Sequence, residues 1–433
     1  MTALPGPRGC RLFVERAAEL PLVWIRIAAR GGSAADPPRQ EGFTRHLGEL
    51  SRRGAGARDR AALDEAIDSM GATFEASTSA DAVLWGGLCL RRHADALVAL
   101  AADVLGAPAF TADEHARLLR ESAALLDEVR DDDGELAARF FTREVAPGHP
   151  YARTSLGTER SLERIDLQAV RDAHRRLVVP ANLVIGFAGA VDDADALRWA
   201  QALVAGLPGD AQPRPPALPD PPLPPARRIL LVDKPARTQS QIEIGHAVPA
   251  YGEPAFRALT VLETGFGGMF SSRLMQEIRV KRGWSYGAGI SLGRARGAQW
   301  ARIHLAPAAA TTGDALALAL RMFEEVAAGG LTPAEVDLSR RHLAGSLTFQ
   351  KATAEQRLRL AMRSALFDLP DDFADRLPAA LAAVDTDQVR RAAAEHLHPG
   401  RALAVLVATA DDAIPRLHAA GFADVEVVAW DSY

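Results

Sequence analysis

Pro213-Arg-Pro-Pro-Ala-Leu-Pro-Asp-Pro-Pro-Leu-Pro-Pro225 cuts the 433-residue chain almost in half, and eight of its thirteen residues are proline. Proline fixes φ and has no N–H, so a run this dense neither continues a helix nor joins a strand ladder. The segment reads as an extended, semi-rigid connector, although a PxxP ligand for another domain would have the same composition. A chain this long exceeds one ordinary core, which makes two domains the expectation. The boundaries then fall at 1–212, a linker at 213–226 and a second domain at 227–433.

Working outward from the linker, the two halves read alike. Thr111-Ala-Asp-Glu114 forms a capping box before an apolar-periodic helix, and Thr332-Pro-Ala-Glu335 repeats it in the second half. A helical pattern precedes each box, from Asp95 and from Asp314, and an earlier helix stops at Gly71 and at Gly283. The offsets between these matching features are 212, 219 and 221 residues. So small a drift points to a duplicated unit. Strands are expected at 11–13, 22–28 and 74–90, then at 228–232, 241–246 and 286–305. Leu183–Ala188 and Ala402–Val407 close the two halves as short, apolar, buried strands. The fold class that follows is α+β: two homologous halves, each an antiparallel sheet with helices packed on one face.

Composition excludes several classes of function. Fifty basic against fifty-five acidic residues leave a net charge of −5, which gives no electrostatic reason for a nucleic-acid or anionic-membrane partner. Two cysteines, Cys10 and Cys89, make neither a disulfide framework nor a CxxC site. No charged-then-apolar leader opens the chain and no run reaches the length of a spanning helix, so a reducing cytoplasm is the expected compartment.

The order of elements and several motifs resemble the M16B zinc peptidases, the family that includes the mitochondrial processing peptidases. The motifs are Glu41-Gly42-Phe43, Met70-Gly71-Ala72-Thr73-Phe74-Glu75-Ala76, Pro147-Gly148-His149-Pro150-Tyr151 and Leu156-Gly157-Thr158. The resemblance implies a clamshell half that opposes a second chain of the same fold.

In that family Glu-Gly-Leu leads into HxxEH, where residues at i, i+3 and i+4 share a helix face and place two imidazoles and a carboxylate around zinc and its water. Counting on from Glu41-Gly42, the three positions hold Arg45, Gly48 and Glu49. A one-residue gap would align His46 with Glu49, but the second histidine then becomes Leu50; Gly54 downstream supports the ungapped count. Arg45 places a cation where a dication would bind. Glu128 matches the family's distal glutamate, and one carboxylate makes no zinc site. No cofactor is expected in this chain.

The second half keeps a different signature. Gly265-Phe-Gly-Gly268 leads to Ser271-Ser-Arg-Leu274, Glu277-Ile-Arg279 and Arg282-Gly-Trp-Ser-Tyr286. It resembles the family motif in which an arginine and a tyrosine seven residues apart reach the substrate, here Arg279 and Tyr286. Ser271 or Ser272 is expected to cap a helix that Gly283 ends, and Tyr286 to begin the next strand. The plainer alternative ties Arg279 to an acid such as Glu277 and half-buries Tyr286. Without a Lys-Ser/Thr, the glycine cluster is no P-loop and reads as a tight turn or flexible lip.

Metal positions lost and the Arg/Tyr pair kept is the pattern of the non-catalytic subunit in two-chain family members. The resemblance therefore implies a partner, a zinc-bearing homologue with intact HxxEH, and a peptide substrate. Phe74, Glu75, Ala76 and Ser77 would offer the peptide a sheet edge to pair with. A structural scaffold, or a peptide-binding module without catalysis, remains the alternative.

Overall fold

The computed structural model describes residues 1–209 and 217–432. The chain folds into two compact units. One comprises Met1–Leu126, Arg153–Ala217 and Thr348–Ala374; the other comprises Asp127–Ala152, Leu218–Leu347 and Asp375–Tyr433. Residues 213–216 of the proline run lie outside the described residues, and 217–225 form no helix or strand.

The first unit is built on strands β1 (Thr2–Pro5), β2 (Arg11–Arg16), β3 (Leu22–Arg30), β4 (Thr73–Thr78), β5 (Ala82–Leu90) and β6 (Leu183–Gly189). They lie in the order β1-β2-β6-β3-β5-β4. The second unit uses β7 (Arg228–Asp233), β8 (Gln241–Val248), β9 (Ala288–Leu292), β10 (Gln299–Leu305), β11 (Leu403–Ala408) and β12 (Glu426–Ala429), in the order β12-β7-β11-β8-β10-β9. Apart from the outermost strands β1 and β12, the two orders are the same. This identity of topology is the structural form of the sequence repeat.

Two features correct the sequence expectation. The sheets are mixed, because β2 runs parallel to β6 and β7 runs parallel to β11 and β12. β6 returns through a long crossover to insert between β2 and β3, and β11 likewise between β7 and β8, each running parallel to the earlier strand of its pair. Helices also cover both faces of the first sheet. Leu12, Val14, Ile185 and Phe187 point into a core shared with helices Ala94–Gly106 and Asp193–Ala205. Alternate residues Phe13, Val184 and Ala188 meet Leu358, Ala361 and Met362 of helix Ala354–Leu366. A Cβ on Gly186 would lie 2.6 Å from Leu358 Cδ1, so glycine lets that helix seat. In the second unit, helix Asp133–Glu144 packs on β8 and β11. Helices Ala354–Leu366 and Asp133–Glu144 each come from the opposite half of the sequence to the sheet they cover, so no reading of a half by itself could supply them. With both faces covered, β6 and β11 are buried along their whole length, which explains their unbroken apolar runs.

The two capping boxes differ in detail. Thr332 and Glu335 exchange both bonds, at 2.7 and 3.3 Å. At Thr111 only the hydroxyl-side bond forms, at 3.4 Å, since the Glu114 carboxylate turns to Arg53 and Arg60.

Candidate functional site

Helix Phe43–Ser51 carries the three positions that HxxEH would occupy. Gly42 precedes it with φ +91°, a conformation that strains residues with a Cβ. Buried Asp36 caps it, accepting from the Gly42 and Thr44 amides at 2.8 Å and from the Thr44 hydroxyl at 2.7 Å. Burial pushes the Asp36 carboxyl up to about 6, against those three bonds. Two of the motifs quoted above meet here: the Ser161 hydroxyl, just past Leu156-Gly157-Thr158, donates to the Glu41 carbonyl at 2.8 Å.

Arg45 and Glu49 share one face of this helix, 2.8 Å apart, and Arg45 also donates to Ser122 Oγ at 3.2 Å. Burial raises the Glu49 carboxyl while Arg45 and Arg53 hold it down. A Cβ on Gly48 would sit 2.8 Å from Val83 Cγ1, so a glutamate there would require Val83 to move. His46 is 1% exposed and meets the same helix Ala112–Asp131 two turns earlier than Arg45 does, with Nε2 2.8 Å from His115 Nδ1. Burial, with His115, Arg53 and Arg45 nearby, pushes His46 down to about 3. It is a core histidine. Glu128 is exposed, six residues beyond Ser122 on helix Ala112–Asp131. Among the described residues, no three His, Cys, Asp or Glu side chains converge where a metal ion could be held. The donors present do not fit zinc.

Beside this helix, β4 forms one border of its sheet. Phe74 is 1% exposed and belongs to the core, whereas Glu75 and Ser77 face solvent and Ala76 is half-buried. The Phe74 carbonyl already accepts from Arg52 Nε, and Asp64 anchors that guanidinium at 2.7 Å. Glu49, Arg52, Arg53, Arg60, Glu75 and Ala76 line a cavity of about 310 Å³.

The Arg279 region differs in kind. Met275–Val280 winds as a π-helical turn, a geometry that recurs at functional sites. It ends at Gly283, φ +64°, where the Trp284 amide donates to the Ile278 carbonyl at 3.0 Å. The expected serine cap does not form among the described residues: Ser272 Oγ is buried with no hydrogen-bond partner among them, and the Ser272 carbonyl accepts from the Gln276 amide. Tyr286 stands two residues before β9 and is 86% exposed. Arg279 Cζ lies 4.3 Å from the Tyr286 ring centroid and 5.1 Å from that of Phe270. Glu277 is taken by Lys281 and Arg282, leaving Arg279 with no carboxylate partner among the described residues. The plainer alternative, with Arg279 paired to Glu277 and Tyr286 half-buried, is therefore not what the structure holds.

Nor is Gly265–Gly268 a loose lip. It continues helix Pro254–Glu263 as a second π-helical turn, and a Cβ on Gly267 would come within 2.5 Å of the Ile290 amide on β9. Sequence reasoning missed Ser122 and Phe270. For Phe270 the available signal was an aromatic beside Met269 in a stretch otherwise of small residues, Gly267-Gly268 before and Ser271-Ser272 after.

Two units of one topology define a duplicated two-domain protein of mixed sheets and helices. Residues 14–159 match the family model described as Insulinase (Peptidase family M16), and residues 164–343 match that described as Peptidase M16 inactive domain. The chain belongs to peptidase family M16. It is 26% identical over 433 residues to an uncharacterized zinc protease of Streptomyces coelicolor, covering 96% of this chain and 91% of that one. It is 22% identical over 363 residues to a protein of Helicobacter pylori named a non-peptidase homolog, covering 82% and 81%. The fold matches the crystal structure of a peptidase M16 inactive domain from Pseudomonas fluorescens with a TM-score of 0.88 at 23% identity, over 99% of this chain and 98% of that one. A protease from Helicobacter pylori matches with a TM-score of 0.84 at 16% identity, over 94% and 99%. No described helix is long and apolar enough to cross a membrane.

Proposed function

We propose that this chain is the zinc-free, non-catalytic subunit of a heterodimeric M16B metallopeptidase and supplies Arg279 and Tyr286 to the site of a zinc-bearing homologue. One contrast carries the reading. The helix face that would hold zinc is closed by the Arg45–Glu49 ion pair, while Arg279, beside an exposed tyrosine, has no carboxylate partner among the described residues. A guanidinium and a phenol both donate, and both suit a peptide carbonyl that becomes an oxyanion when water attacks it. Zinc and the activated water belong to the partner on this reading. The substrates are small or unfolded peptides, whose backbone groups are open to such donors. A peptide strand adding at Phe74–Ser77 would first have to displace Arg52 from the Phe74 carbonyl.

The test is co-expression with a homologue that carries intact HxxEH. A stable complex that hydrolyses peptides only when both chains are present supports the proposal. Separate elution at micromolar concentration, with no gain of activity on mixing, overturns it in favour of a scaffold.

A further inference from the structure

Phe270 is 62% exposed, and no core requires its ring where it stands. Its ring centroid lies 5.1 Å from Arg279 Cζ, and its carbonyl is pinned by Gln276 Nε2 at 2.9 Å. Tyr286 contacts the same guanidinium from the other end of the motif, at 4.3 Å. The acids in reach of this segment are engaged elsewhere: Glu277 with Lys281 and Arg282, and Glu335 in a two-bond pair with Arg273, both bonds at 2.5 Å. Two rings, not an ion pair, hold Arg279.

We propose that Phe270 is a positioning residue, whose ring fixes the Arg279 guanidinium so that its N–H donors meet a peptide carbonyl. This rests on the reading that Arg279 meets the substrate. A carboxylate partner would occupy the donors it orients. A ring attracts the cation through its π face and accepts none of the in-plane hydrogen bonds, so the donors stay open. Arginine also has several freely rotating torsions, and ring contacts restrict them before the peptide arrives. The substrate feature read here is therefore a backbone carbonyl presented to a pre-oriented planar donor, whatever the side chain beside it.

Two measurements test the proposal. In the complex with the zinc-bearing homologue, Phe270→Leu should lower kcat/KM for a fluorogenic peptide by about three- to tenfold, with the loss mainly in kcat. Phe270→Tyr should restore it, and Phe270→Leu should cost nothing further in an Arg279→Ala background. An undiminished loss in that background would show Phe270 acting on the peptide independently, and would overturn the proposal. The second measurement needs no partner. The Arg279 Nε–Hε resonance of the full chain should shift and sharpen in Phe270→Leu and return in Phe270→Tyr; an unmoved resonance also overturns it. If the resonance moves but Arg279→Ala leaves hydrolysis untouched, positioning stands and the proposed function fails.

Discussion

Arg45 and Glu49 stand one helical turn apart on the Phe43–Ser51 helix with a guanidinium nitrogen 2.8 Å from a carboxylate oxygen, and Ser122 takes a second guanidinium hydrogen at 3.2 Å. The pair covers the face on which two imidazoles would have to stand, and Ser122 is what the facing helix offers in place of a carboxylate. The purified chain should accordingly hold far less than one zinc. Restoring only the imidazoles, Arg45→His with Glu49→His, should leave it near that level, because the group that meets this face from the facing helix, Ser122, offers a hydroxyl and Glu128 is turned to solvent. Adding Ser122→Glu should raise uptake towards one equivalent by elemental analysis. Stoichiometric zinc in the unaltered chain would remove the basis for a zinc-free subunit. Full uptake by the double variant would instead point to Glu128 as the third ligand.

Much of this was legible in the residues, and what was missed has a common physical origin. Local chemistry spoke clearly. The glycine stops at Gly71 and Gly283, the Thr332–Glu335 box and the apolar runs of β6 and β11 all act within a few residues of themselves, and they disclosed the duplication. Contacts distant in sequence were silent. Helix Ala354–Leu366 covers the first sheet from the far half of the chain, and only Gly186, small where Leu358 must seat, marks its place. Parallel pairing of β2 with β6 leaves no trace in either strand, because alternation is the same in both directions. The Arg45–Glu49 pair could be read from i,i+4 spacing. The ring contact of Phe270 with Arg279 spans an irregular, π-helical stretch where no fixed period applies.

His246 provides a pH test. Its Nε2 accepts the His398 amide at 2.9 Å while its Nδ1 hydrogen bonds the Ala247 carbonyl at 2.7 Å, so the folded protein holds it neutral. Burial, with smaller pushes from His398 and Arg401, lowers it from 6.5 to about 4, against the Ala247 bond that raises it. A depressed folded pKa contributes stability that is present above the unfolded value and lost as pH falls through the folded one. The window is thus pH 6.5 down to about 4, with a slope of up to about 1.4 kcal/mol per pH unit. His246→Gln, which keeps an acceptor but does not titrate, should flatten the fall in stability across that window in denaturant titrations. An unchanged slope would mean that His246 takes up no proton on acid unfolding.

Lys234 is only 7% exposed and closes helix Ala112–Asp131 at its C-terminal end, donating to the Arg130 carbonyl and the Asp133 carboxylate, each at 2.6 Å. The cation satisfies an orphan carbonyl and opposes the negative end of the helix dipole. Lys234→Met keeps the stem and deletes the charge, leaving Arg237, 3.4 Å from Asp133, as the remaining cation there. A loss of about 2–4 kcal/mol is expected by chemical denaturation. A change under about 0.5 kcal/mol, the range of ordinary surface substitutions, would show that water replaces the ammonium without cost.

Arg279 and Tyr286 carry the functional claim, and the sharpest substitution is Tyr286→Phe. It removes one hydroxyl from a side chain that is 86% exposed, keeps the ring that meets the guanidinium at 4.3 Å, and disturbs no buried group. Assembly with the zinc-bearing homologue and that partner's metal content should therefore be unchanged. Losing one donor to a developing oxyanion typically costs about 10²–10³ in turnover, roughly 3–4 kcal/mol of transition-state stabilisation. Arg279→Ala should cost at least as much, since it deletes the donor and leaves both rings without their cation. How the loss divides identifies the step. A fall in kcat with KM held means that the contacts tighten on the oxyanion, whereas a rise in KM with kcat held means that they bind the ground-state carbonyl equally well. Both outcomes keep the residues in the site. Hydrolysis at the unaltered rate in both variants, with the complex intact, would reduce the pair to a surface contact and leave the chain a scaffold for its partner.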